Sequence, residues 1–370
     1  MGKKMKYIFI LGNNLALSKA EIKAVLDDFE IVGGQDDYLI IKTEKLDCQA
    51  VMKRLGGTIK IAEVIGEQID PNLLVNEIIE RSGDGKVKFG FSWYGGKANR
   101  KIGMDVKGRL KEKGINSRLV TSKDKTLSAV VVTKNKCLDF VVVAGAVGLT
   151  QVVFDFKEYG KVDYGRPAHD SVSGMLPPKA AKMMINLAEA KTDAVLLDPF
   201  CGSGTVLMEA ALMGYQNLIG SDVSAKAAID TETNMNWLVE NYKLDIKKDI
   251  FKSDVRKLDI EDGSVDAIVS EPYLGPPVRG ELTSSQLREI IKEVSDIYLG
   301  AFKKFSKIVK SGGRLVIIFP QWHQRGELIG QIDLRAEIKE LEFNRKDKAN
   351  LIYKRDDQKV WREITIWEKD

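Results

Sequence analysis

Histidine and cysteine are the scarcest chemically active residues of this chain, with two histidines (His169, His323) and three cysteines among 370 residues. Cys48, Cys137 and Cys201 lie far apart and form no CxxC pair, which excludes a disulfide framework and a zinc site of ordinary ligand spacing. Two histidines cannot build a histidine-rich metal centre, so no metal is expected. No apolar run approaches the roughly 20 residues that a membrane-spanning helix needs. The opening MGKKMKYIFILGNN passes into a strand pattern without a signal-peptide cleavage site, and a cytoplasmic location is expected. Without a heptad seam or an exposed apolar helix, the expectation is a monomer with no obligate protein partner.

A composition of 44% hydrophobic and 30% charged residues is that of a globular protein, and the length suits two domains, or two with a small module attached. The formal charge of +4 is mild, but it is unevenly spread. Residues 81–136 hold fifteen Lys or Arg against four Asp or Glu, a local +11 that leaves −7 on the remainder. A basic module joined to a mildly acidic one is the electrostatic footprint of a polyanion binder.

Along the chain, residues 6–12 (KYIFILG) predict a strand, and Ser18 predicts the cap of a helix through KAEIKAVLDDF, where Ile22, Val25, Leu26 and Phe29 recur at helical spacing. YLIIKT predicts a strand and residues 46–55 a helix, which closes a small α+β unit near residue 65. A second begins at about residue 70: LLVNEIIE as helix, VKFGFSWYG as strand, a basic amphipathic helix at 101–113, then LSAVVVTK and LDFVVVAGAVG as two strands. KEYGKVDYGRPAHDSVSGMLPPK lacks periodicity and predicts an interdomain linker. Beyond it helices and strands alternate from residue 178 to RLVIIFP, which implies an α/β domain with a parallel, doubly wound sheet. ANLIYKR and VWREITIWEK, joined by DDQK, predict a terminal antiparallel hairpin.

The sharpest local signal is AVLLDPFCGSGT, an apolar strand ending in Asp198 that turns through Gly202 and Gly204 into a helix. Glycines let the backbone approach a ligand, and ligands of such sheets bind at the carboxyl ends of the strands. NLIGSD places Asp222 at the end of the next strand, where a carboxylate can accept from both hydroxyls of a ribose. Asp254 follows the third strand, in reach of an adenine amino group. Each acid alone reads as a helix cap, but three in register form a nucleoside site. A dinucleotide fingerprint would need glycine where this chain has Leu207. The run D-P-F-C-G-S-G resembles motif I of the class I methyltransferases, whose seven-stranded Rossmann-like sheet ends in a reversed strand. That resemblance implies S-adenosyl-L-methionine as cofactor, held by Asp198, Pro199, Phe200, Cys201, Gly202, Gly204, Thr205, Asp222, Val223, Asp254 and Val255. Cys201 reads as a small packed residue and not a nucleophile, and Thr205 as a helix cap or a cofactor contact.

After the fourth strand comes VDAIVSEPYLGPP. Amino-methyltransferases carry [D/N/S]-P-P-[Y/F/W] here, and the resemblance implies a polar acceptor that orients a substrate amine and an aromatic ring that stacks on its base. The amine lone pair is delocalised into the ring and must be directed at the methyl carbon. Counting from DAI without gaps puts Glu271 at the polar position with Pro272 and Tyr273 following. A second register takes Ser270, Glu271, Pro272 and Tyr273 as the four. Glu271 is the preferred amine acceptor and Ser270 its alternative, with Tyr273 as the stacking ring; a plain turn steered by Pro272 and Gly275 is the bland reading.

Four stretches, IFILGNNLALSKAEIKAVL, NRKIGMDVKGRLKEKGINSRLV with LSAVVVTKNK, GRPAHDSVSGMLPPKAAKMMINLA and DPFCGSGTVLMEAALMG, together resemble the archaeal-type tRNA guanine-N2 methyltransferases that act at position 10 and carry a THUMP domain. The resemblance implies an N-terminal α+β (ferredoxin-like) domain at 1–65 and a THUMP domain at 66–157. It further implies a linker that covers the cofactor at 158–180 and a methyltransferase domain at 181–370. The first two would grip tRNA, with Arg100, Lys101, Lys107, Arg109, Lys111 and Arg118 on phosphates and Trp93 and Tyr94 as stacking surfaces. In the linker, Arg166, His169 and Lys179 are further candidates for RNA or cofactor. Methyl transfer to N2 of guanine in tRNA is the activity this implies. The alternatives are an enzyme of the same fold acting on ribosomal RNA or DNA amino groups, and an RNA-binding protein with a vestigial cofactor site.

Overall fold

A computed structural model describes residues 4–83, 85–169, 175–278, 280–347, 349–354 and 358–370, arranged in two compact units. Unit 1 comprises Met1–Leu15, Leu26–Lys53 and Gly57–Tyr159; unit 2 comprises Ala16–Val25, Arg54–Gly56 and Gly160–Asp370.

In chain order the first thirteen elements are β1 (Met5–Leu11), α1 (Leu15–Val25), β2 (Glu30–Gly34), β3 (Tyr38–Thr43), α2 (Cys48–Arg54), β4 (Thr58–Gly66), α3 (Pro71–Glu80), β5 (Val87–Trp93), α4 (Lys101–Glu112), β6 (Ser117–Val120), α5 (Ala129–Asn135), β7 (Leu138–Val143) and β8 (Ala146–Val153). The eight strands of unit 1 form one sheet in the order β2-β3-β1-β4-β8-β7-β5-β6. β4 pairs antiparallel with β8, so the expected break near residue 65 falls on a strand that joins the two halves into one sheet. An unpaired β4 edge would leave a row of backbone donors and acceptors open, and β8 satisfies them. α3 and α4 turn Leu74, Val75, Ile78, Ile102, Val106 and Leu110 onto Phe89, Phe140 and Leu149. At helical spacing, such residues make one apolar stripe per helix.

LSAVVVTK, expected as a strand, is instead α5. β5 lies parallel to both β6 and β7, so the chain must cross over between them, and a helix is the compact way to do it. Ser128 caps that helix, its hydroxyl accepting from the Val131 amide at 3.3 Å. The following apolar run is a hairpin of β7 and β8, turned at Gly145 with φ of 75°.

Unit 2 recruits the chain before it returns from unit 1. Glu21 on α1 is fully buried and accepts from the Gly56 amide at 2.7 Å and from Asn186 Nδ2 at 2.8 Å. Ser18, expected as a cap, lies buried inside this helix, which begins three residues earlier at Leu15. The remaining elements are α6 (Phe156–Gly165), α7 (Pro178–Leu187), β9 (Val195–Asp198), α8 (Thr205–Leu212), β10 (Asn217–Asp222), α9 (Ala225–Tyr242), β11 (Lys247–Lys252), β12 (Val265–Ser270), α10 (Ser284–Ile308), β13 (Val309–Gln324), β14 (Glu327–Gln331), α11 (Arg335–Glu340), β15 (Phe343–Arg345), β16 (Leu351–Tyr353) and β17 (Val360–Lys369). α6 occupies the start of the expected linker, while residues 170–174 of that segment lie outside the described residues.

The sheet of unit 2 follows the path β11-β10-β9-β12-β13-β17-β15, with β14 added on β13 and β16 on β17. From β11 to β13 the strands are parallel; β17 runs antiparallel to β13, as the resemblance implies for the last strand. β16 and β17 form the expected terminal hairpin, whose Asp356 and Asp357 lie outside the described residues. Alternation sends Leu196 into the core beneath α7 and α8, and Leu197 into the core beneath α10. Burial on both faces explains why these strands are continuous apolar runs. α10 starts at a capping box of Thr283 and Gln286.

Candidate active site

Parallel register brings Asp198, Asp222 and the Asp254 turn to the carboxyl ends of three adjacent strands, β9, β10 and β11. Between β9 and α8 the chain turns through Gly202 (φ 54°) and Gly204 (φ 85°), a left-handed conformation that favours glycine. A Cβ on Gly204 would lie 3.1 Å from Thr231, whereas one on Gly202 would meet nothing within 4 Å. Gly202 therefore opens onto space that a ligand can fill. The loop is braced from three sides. Asp222 accepts from the Gly202 amide at 3.1 Å and from Ser224 at 2.8 Å. Thr231 Oγ1 donates to the Gly202 carbonyl at 2.8 Å, and Asn234 Nδ2 to the Ser203 carbonyl at 2.8 Å.

Asn234 also ties the segment before α7 to this loop, accepting from the Ala168 amide and donating to its carbonyl, both at 2.9 Å. From the same segment Arg166, buried, donates to Thr205 Oγ1 at 2.9 Å. Thr205 thus does not cap its helix, whose N-cap is Gly204, and its hydroxyl is engaged by a guanidinium withdrawn from solvent. His169 is exposed and Lys179 half-buried.

The three acids have different electrostatic surroundings. Asp198 is 2% exposed, accepts from Ser270 Oγ at 2.6 Å and from the Phe200 amide at 3.2 Å, and burial pushes its carboxyl up to about 7. Asp254 is held down to about 2 by Arg256, whose amide and Nε donate to it at 3.0 and 2.9 Å. An adenine amine would share Asp254 with that guanidinium. Val223 is 67% exposed beside Asp222, an apolar side chain left where an adenine ring could cover it. Val255 differs: it is 4% exposed, and its side chain packs in the core with Val294 and Phe302. Pro199 and Cys201 are buried and Phe200 half-buried; burial pushes the Cys201 thiol up, in keeping with a packed residue. An open cradle at Gly202, an acid beside an exposed valine, and a buried acid behind the loop fit a cationic nucleoside such as S-adenosylmethionine.

At the end of β12, Ser270 is fully buried and its hydroxyl donates to Asp198. Glu271 follows immediately, and its Oε1 accepts from Arg362 Nε on β17. Burial raises the Glu271 carboxyl while Arg362 lowers it. Pro272 is buried, and Tyr273 is 40% exposed, free to meet a base. Gly275 (φ 96°) passes so close to Ile290 that a Cβ would stand 2.9 Å from it, so the chain turns away directly after the tyrosine.

The basic residues belong to unit 1. Arg100, Lys101, Lys107, Lys111 and Arg118 are exposed, and on α4 the lysines alternate with buried Ile102, Val106 and Leu110. Arg109 is partly engaged by Asp105 at 3.0 Å and Asn72 at 2.7 Å. Trp93 packs beside Phe91, and Tyr94 against the core that holds Tyr38 and Val143; both are half-buried.

Residues 167–342 match the family described as "RMKL-like, methyltransferase domain". The "tRNA (guanine(10)-N2)-dimethyltransferase" of Methanothermobacter thermautotrophicus is 26% identical over 300 residues, 74% of this chain and 80% of that protein. A "Probable tRNA (guanine(10)-N2)-dimethyltransferase" of Methanothermococcus thermolithotrophicus is 34% identical over 124 residues, 32% of this chain and 72% of that protein. Among solved structures, TrmN from Thermus thermophilus aligns over 99% of this chain and 100% of its own with a TM-score of 0.54 at 14% identity, a likeness of fold.

Proposed function

The chain belongs to the tRNA (guanine(10)-N2)-methyltransferase family, and on that premise we propose that it transfers methyl groups from S-adenosylmethionine to the exocyclic N2 of a guanine in tRNA, at position 10 as in its relatives. One observation carries the reading: Ser270 of β12 is hydrogen-bonded to Asp198 of β9, so the residue next to it, Glu271, stands at the junction of cofactor loop and substrate loop. A carboxylate there can accept from the N2 amine of guanine and from the neighbouring N1–H. The corresponding edge of adenine offers one donor and a ring nitrogen that a carboxylate repels, so the site favours guanine.

Bound S-adenosylmethionine supplies a methyl group activated on a sulfonium. This chain's residues do the rest by placement. Asp222 and Val223 hold the nucleoside end, Gly202 lets the backbone approach it, and Asp198 puts buried negative charge behind the loop. Glu271 orients the amine and Tyr273 stacks on the flipped base. Residues 66–157 serve as a THUMP module whose exposed basic side chains meet tRNA phosphates, and residues 1–65 support it. Among the described residues no helix is long and apolar enough to cross a membrane, and a monomer working in the cytoplasm is the simplest form of such an enzyme.

The test is incubation with unmodified tRNA transcripts and S-adenosylmethionine carrying a labelled methyl group, followed by digestion and identification of the labelled nucleoside. N2-methylguanosine, with loss of label in Glu271→Ala, is the expected result. Label on any other atom, or none with the cofactor bound, overturns the reading.

A further inference from the structure

Arg362 lies 91 residues beyond Glu271, on the last strand and outside every recognised motif, yet its guanidinium closes on the carboxylate at the end of β12. Both side chains are withdrawn from water, at 8% and 13% exposure. The arginine is itself held, since its Nη1 donates to Gln358 Oε1 at 3.3 Å and its backbone sits opposite Pro320 in the β13–β17 ladder. A buried ion pair is a poor stabiliser compared with packed apolar side chains, because desolvating two charges offsets most of their attraction. Its presence beside the substrate loop therefore calls for another role. A lone glutamate has one more rotatable bond than the aspartate or asparagine usual at this position, and without a clamp its acceptor would wander.

We propose that Arg362 is the positioning residue of the amine-accepting site: it fixes Glu271 through Oε1 and keeps it anionic, so that the carboxylate faces the two donors of the guanine edge. This rests on the reading of Glu271 given above. The charged and titratable groups that act on Glu271 are Arg362 on β17, Asp198 at the end of β9 and Tyr298 on α10. Of these only Arg362 is cationic. Removing it leaves a buried carboxylate with an acid and a neutral phenol as its titratable neighbours and no cation, and protonation becomes easier.

The experiment compares wild type, Arg362→Met, Arg362→Lys and Glu271→Gln in two ways. Methyl transfer to tRNA is followed across pH, and the Glu271 carboxyl is titrated by carbon NMR in protein labelled at glutamate Cδ, assigned by its absence in Glu271→Gln. Arg362→Met is expected to lower kcat on the order of 10²-fold, the scale for a misplaced orienting group, with S-adenosylmethionine affinity within about twofold of wild type. The acidic limb of its rate profile and the Glu271 titration should both move to higher pH. Arg362→Lys keeps the charge but not the planar fork, so it should restore the titration more fully than the rate. In the Glu271→Gln background, Arg362→Met should add little further loss, because the group it acts through is gone. That double variant also removes both charges, which guards against misfolding of the single one. An unmoved Glu271 titration, or additive losses in the double variant, overturns the proposal. The NMR arm needs no turnover, so wrong assignment of the substrate would show separately, as a wild-type label on another nucleoside.

Discussion

Ser270 donates its hydroxyl to Asp198 at 2.6 Å across two neighbouring parallel strands, so one hydrogen bond joins the loop read as the cofactor site to the loop read as the substrate site. Burial, more than this bond, sets the state of the acid. Desolvation outweighs the help of Ser270 and the Phe200 amide, and Asp198 titrates at about 7 instead of its ordinary 3.8.

The pH dependence follows with a definite sign. A carboxyl whose pKa is raised on folding binds more protons in the native state, so its contribution is full below about 4 and is lost as pH rises towards about 7. The thermal midpoint of the free protein should therefore fall between about pH 4 and pH 7 by an amount that Asp198→Asn abolishes. Affinity for S-adenosylmethionine should move the other way, rising as the carboxylate ionises behind the cationic ligand. Asp198→Asn should weaken binding by at least about 10-fold, or about 1.4 kcal/mol. Calorimetric titration across pH checks this; affinity independent of pH and of the substitution refutes it.

The two loop glycines should respond differently to alanine. Gly204 has a left-handed φ and a neighbour 3.1 Å from the added Cβ, so Gly204→Ala should cost about 1–3 kcal/mol of stability. Gly202 has the same handedness but open space, so Gly202→Ala should cost about 1 kcal/mol, while the methyl group intrudes on the ligand and weakens S-adenosylmethionine binding more than about 10-fold. Denaturant melts set beside binding curves separate the two outcomes. Equal losses of stability with unchanged affinity would count against a cradle at Gly202.

Replacing Lys101, Lys107 and Lys111 together with alanine should leave cofactor affinity unchanged, since all three project from α4 in unit 1. Affinity for tRNA should drop, and the slope of log affinity against log salt should flatten by roughly one per phosphate contact removed. Filter binding at four salt concentrations gives the slope. A lower affinity with the slope intact would mean that these lysines do not meet phosphates.

Tyr273 is exposed, so its substitutions test contact with the base more than stability. Tyr273→Phe keeps the ring and should stay within about threefold of wild type. Tyr273→Ala should lose about 1–3 kcal/mol of RNA binding, the usual worth of one base stacked on an aromatic ring. If the phenylalanine variant is as impaired as the alanine one, the hydroxyl and not the ring face is what the substrate needs.

Much of unit 2 was legible because its signals are local. Asp198, Gly202 and Gly204 lie within seven residues, and the strand, the left-handed turn and the helix start each leave a residue type at a fixed offset. The placement of Glu271 was legible for the same reason. What holds these residues was not. Asn234, on α9, looks like any polar helix residue, yet it makes three hydrogen bonds that fasten Ala168 and Ser203 together. Arg362 looks like the outward position of an alternating strand, and only the β13–β17 pairing brings it to Glu271. The misreading of α5 has the opposite cause: three valines in a row favour a strand locally, and the parallel order of β5, β6 and β7 overrides them. Short edge strands such as β2 and β6 carry too few alternating residues to be seen without their neighbours.

The burial of Glu21 with Gly56 and Asn186 reaches beyond packing, into the order in which this protein is made. A helix that leaves the ribosome among the first residues shares its buried carboxylate with Gly56, 35 positions later, and with Asn186, 165 positions later. Until the latter emerges, a carboxylate meant for the interior must remain in water, and the methyltransferase unit cannot close around it. Cutting the chain at the unit boundary before residue 160 would not free an intact catalytic half: it would discard Ala16–Val25, and with them the acceptor that both the Gly56 amide and the Asn186 side chain use.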